Sequence, residues 1–135
     1  MKKNSLDLVR LKKRRQFLKA THNGKKFVAS TMILQTVVQD EFDGMRLGFT
    51  VTKKMGNAVV RNRIRRRLRA VSQMIFSEQG IAGFDYVIVA RKSAFDAPFD
   101  ILKRDLLYLF RLFKKSLNEK NEVVLDDNKN QTTDL

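Results

Sequence analysis

The stretch KKMGNAVVRNRIRRRLRA, residues 53–70, carries eight basic side chains and no acidic one. Guanidinium groups bind phosphate oxygens through paired hydrogen bonds and stack on bases, so this chemistry is anion binding rather than acid–base catalysis. Within the stretch, Arg61, Arg65 and Arg69 form a like-charge ladder, which destabilises an isolated helix by about 0.2–0.5 kcal/mol per pair. An ordinary solvated helix face mixes charges of both signs. The stretch therefore predicts a surface for an external anion.

The charge of the whole chain supports the same interpretation. Its 135 residues carry a net charge of +14, although residues 118–135 are net acidic. Such a field captures polyanions in a salt-dependent way. Nucleic acid is the first expected partner and an anionic membrane surface the second. We do not expect membrane binding, because a core needs the apolar stripe of this helix.

A helical wheel shows how these side chains are positioned. Gly56 and the expected N-cap Asn57 begin the helix. One narrow stripe is apolar and consists of Val60, Ile64, Leu68, Val71 and Ile75. The rest of the surface displays Arg61, Asn62, Arg63, Arg65, Arg66 and Arg69, with Arg67 at the edge of the stripe. Lys53 and Lys54 lie just upstream, where they and the free amides of the first turn predict a phosphate site.

Residues suited to catalysis are scarce. The chain has no Cys, its one His, His22, has no identified partner, and the acids nearest the basic stretch form no convincing pair. A protein nuclease generally needs clustered carboxylates for metal ions or an acid–base pair. We therefore predict no catalytic residue and no metal site, and keep a self-sufficient nuclease as an alternative.

The surrounding sequence predicts an α/β domain. Its elements are a helix at 12–22, strands at 27–38 and 45–52 paired as a hairpin, the arginine-rich helix, a strand at 84–91 covered on both faces, and a helix at 99–117. We expect one domain over 1–117, with 1–11 flexible, and a disordered tail over 118–135. No apolar run is long enough to cross a membrane or to form a signal peptide, so we expect a cytoplasmic protein.

The segment GFTVTKKMGNAVVRNRIRRRLR resembles the signature region of the protein subunit of bacterial ribonuclease P. The matching positions are Lys53, Lys54, Gly56, Asn57, Ala58, Val59 and the triplet Arg61-Asn62-Arg63. The similarity extends over about residues 10–117, through RLKKRRQFLKATHNG and DYVIVARKSAFDAPFDILKRDLLYLF.

This resemblance implies a small basic cofactor of a catalytic RNA that removes the 5′ leader from precursor tRNA. It implies Mg²⁺ held mainly by the RNA subunit and one protein per RNA. The implied fold is a two-layer α/β (α+β) sandwich with a left-handed β-α-β crossover and a central sheet. The residues implied to bind the RNA subunit are Lys53, Lys54, Asn57, Arg61, Asn62, Arg63, Arg65, Arg66 and Arg69.

A second implied site is a cleft for the single-stranded leader, between the first helix and the exposed face of the sheet. Its expected residues are Lys13, Arg14, Phe17, Phe27, Gln35 and Arg91. Phe17 matches a family aromatic, but Thr21 and Gln35 stand where aromatics are expected, which predicts weaker or redistributed leader contacts. Core roles for Phe17 and Phe27, and a capping role for Arg91, stay open. The main functional alternative is a ribosomal-type RNA-binding module without a role in cleavage.

Overall fold

The computed structural model describes residues 8–39 and 44–125, in which five strands and three helices are found. The strands are β1 (Leu8–Arg10), β2 (Lys25–Val28), β3 (Met32–Val38), β4 (Met45–Thr50) and β5 (Phe84–Ala90). The helices are α1 (Arg14–Asn23), α2 (Ala58–Gln79) and α3 (Phe99–Leu125). Short 3-10 turns, Lys53–Met55 and Lys92–Phe95, follow β4 and β5. The predicted α/β sandwich is confirmed.

The five strands form one sheet in the order β1-β4-β5-β3-β2. β5 lies at its centre, parallel to β4 and antiparallel to β3. The predicted hairpin between residues 27–38 and 45–52 is therefore wrong, because β5 lies between the two strands. β4 and β5 are adjacent and parallel, and α2 connects them as the β-α-β unit that the resemblance implied. The left hand of this crossover stays a prediction.

The hairpin that does form lies within the predicted strand 27–38. The chain turns at Ala29–Thr31, and β2 pairs antiparallel with β3. Asp105 of α3 holds this turn, because its Oδ2 accepts hydrogen bonds from Ser30 Oγ at 2.7 Å, Thr31 N at 2.9 Å and Thr31 Oγ1 at 2.7 Å. The carboxylate of Asp105, 74 residues after Thr31 in the chain, therefore stabilises the turn that separates β2 from β3.

Part of the N-terminal segment belongs to the sheet. Leu8–Arg10 form β1 at the edge of the sheet, parallel to β4, and Leu11 is buried. The flexibility of residues 1–11 stays a prediction, and residues 1–7 lie outside the described part of the chain.

The core lies mainly between one face of the sheet and helices α2 and α3. Its centre is an aromatic cluster in which Phe76 packs edge-on against Tyr86 and Phe110, both at 4.9 Å between ring centroids. On the opposite face α1 covers a smaller cluster formed by Leu11, Ala20, Val37 and Val87. Both faces of β5 are therefore covered, as its apolar sequence predicts.

α3 ends at Leu125 rather than at the predicted 117. The remainder of the predicted tail, residues 126–135, lies outside the described residues. Across residues 8–39 and 44–125, none of the helices is long and apolar enough to span a membrane.

Candidate nucleic-acid interface

α2 begins as its sequence predicts. The Asn57 Oδ1 accepts a hydrogen bond from Val60 N at 3.0 Å, so Asn57 is the N-cap and satisfies one free amide of the first turn. Gly56 has a φ of 146°, and a Cβ atom there would lie 2.9 Å from Val60. Glycine is therefore required at this turn. Lys53 and Lys54 are exposed in the 3-10 turn immediately before it.

The apolar stripe of α2 fixes the helix against the sheet. Ile64, Leu68, Val71 and Ile75 are buried as predicted, and Phe76 joins them. The opposite surface carries Arg61, Asn62, Arg63, Arg65, Arg66 and Arg69, which we call the arginine face. Asn62, Arg63, Arg66 and Arg69 are exposed, and Arg61 and Arg65 are half-buried. Packing of the stripe therefore holds these side chains at fixed angles around the helix.

Few acceptors within the protein engage the arginine face. In the described ranges, no arginine of α2 lies within ion-pair distance of a carboxylate. Asn62 Oδ1 accepts a hydrogen bond from Arg65 Nη1 at 3.1 Å, which orients that guanidinium. The Nε of Arg61 is buried and finds no acceptor among the described residues.

Arg67 has a different role from its neighbours. It is half-buried, and its Nη1 donates to Ala94 O at 2.8 Å and to Phe95 O at 3.1 Å, while its Nη2 donates to Ala97 O. The wheel places it beside the apolar stripe, but no local pattern indicates which carbonyl groups it would meet. It holds the segment that joins β5 to α3.

A cleft opens where β1 ends along β4. Its volume is about 360 Å³, and it is lined by β1, Leu11, Phe17, residues 47–49 of β4, and Arg65, Arg69, Ser72 and Gln73 of α2. The ring of Phe17 lies directly on Gly48, where a Cβ atom would be 2.4 Å from the ring. The cleft thus brings Phe17, predicted for the leader, together with Arg65 and Arg69, predicted for the RNA subunit.

Two residues that the sequence did not single out as ligand contacts add to this cleft. Ser72 is fully buried, and its Oγ has no hydrogen-bond partner within the described chain. The ring of Phe49 lies 5.9 Å from the Arg69 guanidinium carbon. On the helical wheel Ser72 falls between Arg61 and Arg65, and this position is the sequence feature that could have indicated its place beside the cleft. The cleft therefore offers aromatic surface and two guanidinium groups, and the buried hydroxyl of Ser72 lies beneath its wall.

The other predicted leader residues are divided between the two faces of the sheet. Gln35 is buried on the α1 side, paired with Val87, and its Oε1 has no donor among the described residues. Phe27 packs against Phe113 with 6.0 Å between ring centroids and belongs to the α3 side. Phe27 therefore does not edge the cleft.

The remaining cationic residues predicted for the leader are exposed. Lys13 is the N-cap of α1, and Arg14 begins that helix. Arg91 directly follows β5, and its Nη1 lies 3.4 Å from Ala29 O. This long contact leaves most of the guanidinium available to solvent, and the structure does not join Arg91 to the cleft that Phe17 lines.

Most of the chain matches one protein family. The family model described as Ribonuclease P matches residues 7–116. A relative from Paramagnetospirillum magneticum, described as a ribonuclease P protein component, is 43% identical over 104 residues, covering 74% of this chain and 78% of the relative. One from Bacillus velezensis with the same description is 39% identical over 110 residues, covering 79% of this chain and 93% of the relative.

Solved structures resemble the fold as well. The RNase P protein of Staphylococcus aureus superimposes with a TM-score of 0.68 at 30% identity, covering 78% of this chain and 94% of that one. The RNase P protein of Thermotoga maritima gives a TM-score of 0.64 at 29% identity, covering 76% of this chain and 96% of the other.

Proposed function

Since the chain belongs to the ribonuclease P protein family, we propose that its arginine face binds the catalytic RNA subunit and that the cleft beside Phe17 holds the 5′ leader of precursor tRNA. The chain is the protein component of a ribonucleoprotein endoribonuclease and assists tRNA 5′ processing together with the RNA subunit. Within this complex it binds RNA, and the RNA subunit carries out the cleavage.

The observation that carries the proposal is the cleft shared by Phe17, Arg65 and Arg69. An aromatic side chain offers a face to an unpaired base, and guanidinium groups beside it neutralise the phosphates of the same strand. A leader strand in this cleft would adjoin the arginine face, so one protein would contact both RNA molecules. Lys53, Lys54 and Asn57 extend the RNA-subunit site at the N-terminus of α2.

Mg²⁺ belongs to the proposal as an ion held mainly by the RNA subunit. Among the residues that the structure describes, no three His, Asp or Glu side chains come together where they could hold a metal ion. The described side chains therefore form no such cluster, and we derive no step through a protein-bound ion. Its proposed contribution is to reduce phosphate repulsion where the RNA folds and binds its ions.

The proposal also includes one protein per RNA subunit, precursor tRNA as the shared substrate, and a cytoplasmic complex. Lys13 and Arg14 are proposed to contact leader phosphates at the N-terminus of α1. Arg91, which is exposed after β5, and Gln35, which is buried on the α1 side, stay proposed as further leader residues. Gln35 stands where an aromatic is expected and cannot stack on a base, so Phe17 carries most of the proposed aromatic contact.

Leader binding is tested by replacing Phe17 in the reconstituted holoenzyme. We expect Phe17→Ala to weaken binding of precursor tRNA by about 1–3 kcal/mol, the value of one stacked base, and to leave binding of mature tRNA unchanged. Phe17→Leu keeps apolar packing against Gly48 without the aromatic face, and Phe17→Tyr keeps both. Equal losses for precursor and mature tRNA, or full activity of the Leu variant, would contradict a stacking role.

A further inference from the structure

The segment between β5 and α3, residues 92–97, is attached to α2 by two arginines. Besides the three carbonyl groups that Arg67 binds, Arg63 Nε donates to Phe95 O at 3.2 Å. Ala94 and Ala97 are buried beneath the segment. A planar guanidinium with several donors in fixed directions holds such carbonyl groups more rigidly than an ammonium group would. The backbone at Phe95 is therefore held in place.

This attachment leaves the ring of Phe95 on the surface. The side chain is 37% exposed although it is large and apolar, and the Arg63 guanidinium carbon lies 5.1 Å from the ring centroid. Buried Ala94 lies next to it in the chain and occupies the inward position. The ring and the guanidinium thus form a preorganised pair at the edge of the arginine face.

The surroundings of this pair combine apolar and cationic groups. Val59, one turn before Arg63 on α2, is 77% exposed. Arg66, three residues after Arg63, and Lys92, three residues before Phe95, are also exposed. A duplex backbone would use the cations alone and leave the apolar groups without a function. An unpaired nucleotide uses both, because its base stacks on flat groups and its phosphate meets the cations.

We propose that Phe95 and Arg63 form a stacking site for one unpaired base of the RNA subunit. The inference rests on the proposed function, because it assumes that the arginine face binds that RNA. The proposed site adds an aromatic RNA contact that lies outside residues 53–70. Arg67 is then a positioning residue, because it holds the backbone that carries Phe95. The site also gives Arg63 a role that depends on its planar shape as well as on its charge.

A fluorescence titration tests the proposal directly. The chain has no Trp, so Phe95→Trp introduces a single indole at the proposed site. We expect the RNA subunit alone to quench this indole on binding. Tyr108→Trp is the matched control, since Tyr108 is 41% exposed on α3 and lies outside the proposed interface. Equal quenching at both positions, or quenching at Phe95→Trp only after precursor tRNA is added, would overturn the proposal.

Affinity measurements at several salt concentrations provide the second test. Phe95→Ala should weaken binding of the RNA subunit by about 5- to 100-fold without changing the salt slope, because a neutral ring releases no counterions. Arg63→Lys keeps the charge but loses the planar stack, and should also lower affinity at an unchanged slope. The double variant should be little weaker than either single variant, because the two groups act together.

The outcomes separate this inference from the function on which it rests. If Phe95→Ala binds as tightly as the wild type while Arg65→Ala binds more weakly, the stacking site is wrong and the arginine face stands. If the wild-type protein shows no salt-dependent binding to the RNA subunit, both are wrong. Thermal unfolding of each variant checks that the fold is intact.

Discussion

At the scale of single residues, two neighbouring arginines of α2 have different surroundings. Arg66 is exposed, with no acceptor within the described protein, whereas Arg67 is half-buried and binds three carbonyl groups. They are neighbours in the sequence, so composition and charge counts treat them alike. The helical wheel places Arg67 beside the apolar stripe, and the segment at 92–97 supplies the carbonyl groups that it binds, while Arg66 stays available for the proposed RNA contact.

This difference predicts opposite results for two substitutions. Arg66→Ala should weaken RNA binding and reduce the salt slope by about 1, because one phosphate contact is lost. Arg67→Ala should leave the slope unchanged and lower the free energy of unfolding by about 1–3 kcal/mol, because carbonyl groups lose their donors. Binding titrations across a salt series and urea unfolding measure both. A similar fall in slope for the two variants would contradict the assignment.

Asp105 gives a residue-scale prediction about pH. Burial alone would raise the pKa of Asp105, but hydrogen bonds from Ser30, Thr31 and Arg104 outweigh it and lower the pKa below its usual value. The ionised carboxylate therefore stabilises the fold above the pKa of the unfolded chain, about 3.9, and this contribution is lost as the pH falls through the lower folded pKa.

Asp105→Asn should accordingly lower the free energy of unfolding by about 1–3 kcal/mol at pH 7 and by less near pH 3. Urea unfolding of the variant and the wild type at both pH values measures this. Asp100→Asn is the control, because Asp100 is exposed at the start of the same helix. A difference for Asp105→Asn that grows as the pH falls would contradict the role given to the carboxylate.

At the scale of elements, the contact between α1 and β4 determines the shape of the cleft. Phe17 lies on Gly48, and the cleft opens where β4 extends past the end of β1. β1 accompanies β4 only from Met45 to Leu47. The short edge strand and the missing side chain at Gly48 together make room for a ligand beside Phe17.

The contact predicts coupling between two substitutions. Gly48→Ala should cost about 1–3 kcal/mol of unfolding free energy, because its methyl group would occupy the space of the Phe17 ring. In the Phe17→Ala background the same change should cost much less. Urea unfolding of the four proteins gives the coupling energy. Independent, additive effects would show that Phe17 does not lie on Gly48.

Elements were predictable from the sequence where their signals are local. The N-cap at Asn57 and the stripe from Ile64 to Ile75 follow from short spacings, and α2 has both. Strand pairing was not predictable, because β3 and β4 both pair with a strand that occurs later in the chain. The break at Ala29–Thr31 likewise depends on Asp105, which no local pattern reveals. The choice between core and cleft for Phe27 was left open for the same reason, since its partner Phe113 is on α3.

At the scale of the molecule, the proposed RNA-binding groups gather around α2 while another cationic surface exists on α3. Arg111 and Lys115 are exposed and Lys103 is half-buried on that helix. A protein that bound RNA by net charge alone would use both cationic surfaces. Of these two surfaces, the arginine face is the one that adjoins the cleft lined by Phe17. Net charge predicts attraction to RNA, and the placement of the cleft predicts which surface binds it.

Cleavage of precursor tRNA by the RNA subunit at low Mg²⁺ shows whether the arginine face is the surface that binds RNA. The assay compares the wild-type protein, Arg65→Ala/Arg66→Ala/Arg69→Ala, and the charge-matched control Lys103→Ala/Arg111→Ala/Lys115→Ala, with the protein alone as a blank. We expect the wild type and the control to stimulate cleavage at similar concentrations, the arginine-face variant to need much higher ones, and the blank to be inactive. Equal losses for the two triple variants, no stimulation by the wild type, or cleavage by the protein alone would contradict this expectation.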